Sequence, residues 1–146
     1  GVLMGETKQS AESIIGCLKL LNVDLLVQSF IKESGGEDIR ALVVGDKVVA
    51  SMKRIAINGS FKSNVHQGGQ AVPVTLNLHE EELVLEAAKT LGLSLAGVDF
   101  MRSNKGPVFL EINSSPGLNA IEVSSGVDIA SKIISFVELS NKKINN

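Results

Sequence analysis

The stretch Val98–Gly117 reads VDFMRSNKGPVFLEINSSPG. Its two arms, VDFMR and PVFLEIN, are rich in β-branched and aromatic residues and read as strands. Asn104-Lys105-Gly106 between them reads as a three-residue hairpin loop, with Gly taking the left-handed conformation such loops need. Centring the hairpin on Lys105 sets Asp99 opposite Glu111. Side chains alternate along a strand, so Glu111 and Asn113 share one face, while Val108, Leu110 and Ile112 take the other and pack into a core. The polar face then gathers two carboxylates and an amide oxygen. Carboxylates that close repel unless something positive lies between them. An all-oxygen set suits magnesium or manganese, which takes one or two carboxylates together with waters and substrate phosphates. A solvated hairpin face with ordinary surface acids fits the same spacing. The polar turn Ser114-Ser115-Pro116-Gly117 follows at once and is placed to approach a ligand with its backbone.

The whole chain has 146 residues, enough for one domain with its own core. Its hydrophobic content of 44% and charged content of 21% are those of a globular domain and exclude a disordered segment. A net charge of −2 leaves no polyanion-binding footprint, so direct nucleic-acid binding is not expected. The single cysteine, Cys17, has no internal disulfide partner and sits on an apolar helical pattern, where a small buried residue is expected. No apolar run is long enough to span a membrane, no signal peptide is visible, and cytoplasm is the default compartment.

Val2 to Met4 reads as a short apolar strand. Thr7 is placed to cap a helix whose buried face is Ala11, Ile14, Ile15, Leu18 and Leu21. Asp24 to Ile31, DLLVQSFI, reads as a buried strand, and Ser34-Gly35-Gly36 as a loop. DIRALVV (38–44) and KVVASMKRIA (47–56) read as strands joined across Gly45-Asp46, a tight-turn pair. Asn58 to Gln70 reads as a mobile loop, and Ala71 to Leu76 as extended. Asn77 with Glu80 forms a capping box for a helix that buries Leu83, Val84, Ala87, Ala88 and Leu91 and stops at Gly92. After the central hairpin, Asn119 to Ser124 reads as a helical turn. A last helix over 127–139 turns Val127, Ala130, Ile133, Ile134 and Val137 inward, ahead of a frayed NKKINN tail. Strands joined by hairpins predict an α+β fold, an antiparallel sheet with helices packed on one side. The chain shows no internal repeat and no linker.

Several of these motifs, in order and spacing, resemble one family. FLEINSSPG after VDF is similar to the metal-binding end of the ATP-grasp ligases. QSFIKESGGEDIRALVVGDKVVASMKR and FKSNVHQGG resemble the RimK-type branch, which adds glutamate to the end of a ribosomal protein. The resemblance spans essentially the whole chain. It implies the C-terminal portion of an ATP-grasp fold, with residues 1–146 forming part of one domain. The opening GVLMGE has no initiator methionine and reads as a strand already under way. On the family pattern a glycine-rich loop, a phosphate-contacting lysine and an N-terminal domain precede it. The 146 residues alone are then expected to be inactive, and exposed apolar surface makes self-association into a homo-oligomer a further expectation.

The resemblance implies ATP and magnesium (or manganese) as cofactors, an amino acid such as glutamate as the amine, and a protein or peptide C-terminus as acceptor. Backbone groups of Ser29 and Phe30 would meet the adenine. RimK-type enzymes commonly carry an acid where this chain has Ser29, which puts any side-chain contact to the base in doubt. Asp38 matches the residue that accepts from the ribose hydroxyls. Arg54 would hold the transferring phosphoryl group through its planar fork, with Arg40 a lesser candidate. Lys62-Ser63-Asn64 matches a basic-Ser-Asn motif that usually begins with arginine. Lys62 keeps the charge and loses the bidentate fork. His66 in that loop reads as exposed, and Gly68 and Gly69 as hinges for the loop. Asp99, Glu111 and Asn113 carry over as metal ligands, with Asn113 also in the catalytic set. The rival class is a non-catalytic nucleotide-binding or assembly module. A third reading is an ATP-grasp ligase with a small-molecule acceptor.

Overall fold

Gly45-Asp46 and Asn104-Lys105 are the two tight turns that set the sheet. In the computed structural model, which describes residues 2–56 and 69–144, each joins strands whose flanking residues pair directly, Val44 with Lys47 and Ser103 with Gly106. The second loop is therefore two residues long rather than three, and Gly106 (φ 107°) opens the returning strand. The strands are β1 (Glu37–Val44), β2 (Lys47–Ile55), β3 (Gln70–Pro73), β4 (Leu95–Ser103) and β5 (Gly106–Asn113). They form an antiparallel sheet in the order β3-β2-β1-β4-β5. Pro73, which has no N–H to donate, falls on the edge strand, where that loss is tolerated. The expected α+β fold is what the chain adopts.

The helices are α1 (Lys8–Leu20), α2 (Leu78–Thr90), α3 (Asn119–Ser125) and α4 (Ile129–Ile144). Within Ile31–Asn146, α2 covers one face of the sheet and α3 and α4 the other, rather than all lying on one side. On one face Ile39, Ala41, Val43, Ala96, Val98 and Phe100 pack with Val84 and Ala88 of α2. On the other, Leu42, Ala50 and Met52 pack with Ile121 of α3 and Ile129 of α4. Odd and even residues of β1 thus feed separate cores, as the two-residue period of a strand dictates. The inward face of α4 is also shifted from the expected one. Ile129 and Ile133 face the core, while Ala130, Ile134 and Val137 are exposed.

Residues Gly1–Phe30 form one compact unit and Ile31–Asn146 another. In the first, Thr7 caps α1 in a reciprocal box with Ser10. Val2 to Met4 and Asp24 to Phe30 carry no strand, and Leu26, Val27 and Phe30 are exposed, against the expectation of buried strands. Among the described residues these runs have no hydrogen-bonded neighbour strand, and a strand exists only by pairing. Cys17 is exposed rather than buried. The Asn58 to Gln70 expectation falls largely on residues 57–68, outside the described residues.

The Asn77–Glu80 box at the start of α2 forms as expected. Glu80 is buried and also receives Arg102 Nε at 2.6 Å and Nη2 at 2.8 Å. The Arg102 hydrogen bonds hold the Glu80 carboxyl below its ordinary range; they outweigh burial, and the Asn77 N–H adds to them. A depressed carboxylate contributes stability above its unfolded pKa, about 4.3, and loses it as pH falls through the lower folded value. Glu80→Gln is therefore expected to lower the urea midpoint at neutral pH and to flatten its acid dependence below about pH 4. An unchanged acid limb in the variant would remove Glu80 from that role.

Candidate active site

The even-numbered face of β1 carries Asp38 and Arg40 toward its N-terminal end. Register sets Arg54 of β2 beside Asp38, Asp99 of β4 beside Arg40, and Glu111 of β5 beside Asp99. The result is a row of opposite charges across four strands. Arg54 donates to Asp38 through Nε (3.0 and 3.1 Å to the two oxygens) and through Nη2. Arg54 Nη2 also donates to Asp99 Oδ2 at 2.7 Å. Arg40 closes on Asp99 as a fork, Nε to Oδ1 and Nη2 to Oδ2, both at 2.7 Å. Arg40 Nη2 lies 3.9 Å from Glu111 Oε1, which accepts from Asn113 Nδ2 at 3.0 Å.

Asp38, Arg54 and Asp99 are all buried. Burial opposes the Arg54 charge. The hydrogen bond to Asp38 and the charges of Asp99 and Asp38 outweigh it, so the guanidinium is held above its ordinary value. Glu111 differs, with its side chain 60% exposed at the open edge of the row. The Asp99–Glu111 pairing expected from the hairpin is present.

A bulge between Asp99 and Phe100 inserts Leu110 into β5, so that Phe109 pairs with Phe100 and Val108 with Met101. The expected shared core face of Val108, Leu110 and Ile112 is therefore broken, and of the three it is Ile112 that packs against the α2-side core. The rings of Phe100 and Phe109 lie 6.1 Å apart instead.

Gly97, two residues before Asp99, was not singled out by the sequence reading. A Cβ built there would lie 2.7 Å from Pro116 Cβ and 3.8 Å from Arg40 Nε. Its absence of a side chain lets the buried Pro116, within Ser114-Ser115-Pro116-Gly117, close over the sheet beside the charge row. An isolated glycine inside a strand pattern was the available signal. Gly97→Ala is expected to cost about 1–3 kcal/mol by overpacking. Its urea midpoint should partly recover with Pro116→Ala, and failure to recover would place the clash elsewhere.

The row carries three carboxylates and two guanidiniums, −3 + 2 = −1. Among the described residues no three His, Cys, Asp or Glu gather as a protein-only metal cage. Magnesium asks for less: one or two carboxylates, with phosphates and water completing the shell. The hard oxygens of Glu111, Asn113 and Asp99, on a face with net negative charge, fit that demand. Ser29 and Phe30 lie in the first unit, in its closing irregular run, with Phe30 exposed. Lys62, Ser63, Asn64, His66 and Gly68 lie outside the described residues.

A family model described as the RimK-like ATP-grasp domain matches residues 1–137. A probable alpha-L-glutamate ligase 2 of Pseudoalteromonas atlantica is 54% identical over 146 residues, all of this chain and 48% of that protein. A probable alpha-L-glutamate ligase of Legionella pneumophila is 51% identical, again over the full chain and 48% of its own length. The chain thus spans about half the length of the curated relatives it matches. Among solved structures, D-alanine–D-alanine ligase from Bacillus anthracis superposes with a TM-score of 0.61 at 16% identity, over 99% of this chain and 51% of that one. The ATP-grasp ligase PsnB, solved with a precursor variant, Mg and ADP, gives 0.59 at 21%, over 73% of this chain and 32% of its own. At these identities the structural likenesses concern the fold.

Proposed function

Because the chain belongs to the RimK-like ATP-grasp family, we propose that the protein carrying it is an ATP- and magnesium-dependent carboxylate–amine ligase. The amine is that of glutamate, and the acceptor is a protein or peptide C-terminus. The observation that carries the reading is the charge row Arg54–Asp38, Arg40–Asp99–Glu111–Asn113 on one sheet face. The acceptor carboxylate attacks the γ-phosphate of ATP, giving an acyl phosphate and ADP. The amine then displaces phosphate and forms the amide. No covalent nucleophile from the protein is required.

Arg54, whose Nε and Nη2 are taken by Asp38 and Asp99, turns its charge and its remaining Nη1 donors to the transferring phosphoryl group. Asp38 also accepts from the ribose, in addition to Arg54. The family resemblance assigns the adenine to backbone groups of Ser29 and Phe30, and the phosphates to Lys62, Ser63 and Asn64. Glu111, Asn113 and Asp99 would hold magnesium, which would supply neutralisation of charge on the phosphate oxygens. The names of the curated relatives support glutamate as the amine. The peptide acceptor follows from the RimK-type resemblance.

The test is isotope transfer in the whole protein that carries this chain. With acceptor carboxylate labelled in both oxygens by ¹⁸O, each turnover should deliver one label to inorganic phosphate and release ADP. Label in AMP would mean adenylation and overturn the acyl-phosphate route. Nucleotide binding with no turnover on any peptide or small acceptor would favour the binding-module reading.

A further inference from the structure

Arg40 occupies the place that a cation is needed. Its guanidinium takes both oxygens of Asp99 at 2.7 Å and stands 3.9 Å from Glu111. Those are the two acids that the hairpin sets directly opposite one another. Two facing carboxylates repel, and the fork of an arginine is the geometry that best relieves a carboxylate pair from one side. The Arg40 side chain is itself only 14% exposed, and a Cβ built on Gly97 would lie 3.8 Å from its Nε. Arg54 already donates to Asp99 Oδ2, so Asp99 would not be orphaned without Arg40. The single charge of Arg54 is shared with the buried Asp38, so Arg40 supplies the second positive charge of the row; its further charge contact is with the exposed Glu111.

We propose that Arg40 is a placeholder cation. It holds Asp99 and Glu111 in register while no metal is present, and it competes with a divalent ion for the same oxygens. Metal arriving with phosphate ligands displaces it, and metal alone does so poorly. Arg40 is thus a positioning residue whose release links metal occupancy to the nucleotide. This rests on the reading of Asp99 and Glu111 as metal ligands, and it assigns Arg40 a role apart from phosphate binding.

The probe is Mn²⁺ alone, titrated without nucleotide and followed by the loss of its free electron-spin-resonance signal. The chain is compared with Arg40→Gln, Arg40→Lys, Glu111→Gln and the double variant Arg40→Gln/Glu111→Gln, with circular dichroism confirming the fold. Removing a unit positive charge about 4 Å from a ligand oxygen should tighten Mn²⁺ binding on the order of tenfold or more in Arg40→Gln. Lysine keeps the charge and loses the fork, so Arg40→Lys should gain only about threefold. Adding Glu111→Gln should erase the gain. Equal or weaker binding in Arg40→Gln, with Glu111→Gln still weakening the parent chain, would overturn the placeholder and leave the metal site standing. If Arg40→Gln does not fold, unchanged affinity in Arg40→Lys overturns it. Affinity indifferent to Glu111 throughout would overturn both the placeholder and the metal site.

Discussion

Glu111→Gln, made in the whole protein that carries this chain, is expected to slow ADP formation on the order of a hundredfold or more. The urea midpoint should stay where it was. Two features set this contrast. The Glu111 side chain is 60% exposed at the end of the charge row and contributes nothing to either hydrophobic core. It is also the acid in the row least committed to an arginine, with Arg40 approaching at 3.9 Å, whereas Asp99 is gripped by two guanidiniums. Removing its charge takes away a hard oxygen ligand where phosphate charge develops, and leaves the scaffold untouched. Calorimetry provides the companion measurement. Magnesium and a non-hydrolysable ATP analogue should each tighten the other's binding by the same factor in the parent, and that coupling should shrink in the variant. Equal magnesium affinity with and without the analogue, in both proteins, would return these acids to an ordinary hairpin surface.

Arg54→Met carries the second large effect, this time on folding. Asp38 is 2% exposed and takes three hydrogen bonds from Arg54. Taking one partner from a buried ion pair leaves an uncompensated charge, a loss of about 3–5 kcal/mol. Replacing both partners by apolar groups is often neutral or better. The double variant Asp38→Leu/Arg54→Met is accordingly expected to regain most of the urea midpoint lost by the single one, since Asp99 keeps Arg40. It should remain inactive in phosphoryl transfer, because the guanidinium charge is gone. A double variant no more stable than Arg54→Met would show that packing, not an orphaned charge, sets the loss.

The acids of this site were legible in the hairpin, but their pairing held for a reason the sequence did not show. Centring on Lys105 assumes a three-residue loop; the two-residue turn alone would set Asp99 opposite Leu110, and the bulge restores Glu111 to that place. The arginines were less legible. Arg40 faces Asp99 across 59 positions of sequence, through the β1–β4 pairing, and no local pattern announces that register. The bulge at Leu110 was equally silent, since an extra residue in one strand leaves no mark in its hydrophobic order. DLLVQSFI failed for a different reason. Apolar composition says that a segment would gain from burial, but a strand also requires a neighbour with free backbone groups. The helix start at Asn77 was read correctly because the cap, its reciprocal glutamate and the apolar period all lie within a few residues.

At the start of β1, before Leu42 of the even register joins the α3- and α4-side core, chemistry and scaffolding are written on alternate letters. Asp38 and Arg40 belong to one text, and Ile39, Ala41 and Val43 to the other. Substitution can edit either text without disturbing its neighbour. Insertion or deletion of one codon cannot, because it exchanges the two texts along the strand beyond it, placing charge in the α2-side core and alkyl groups in the site. Descendants of this gene can therefore change their chemistry by replacement within β1, whereas changes of length are confined to places such as the exposed Asn104-Lys105 turn.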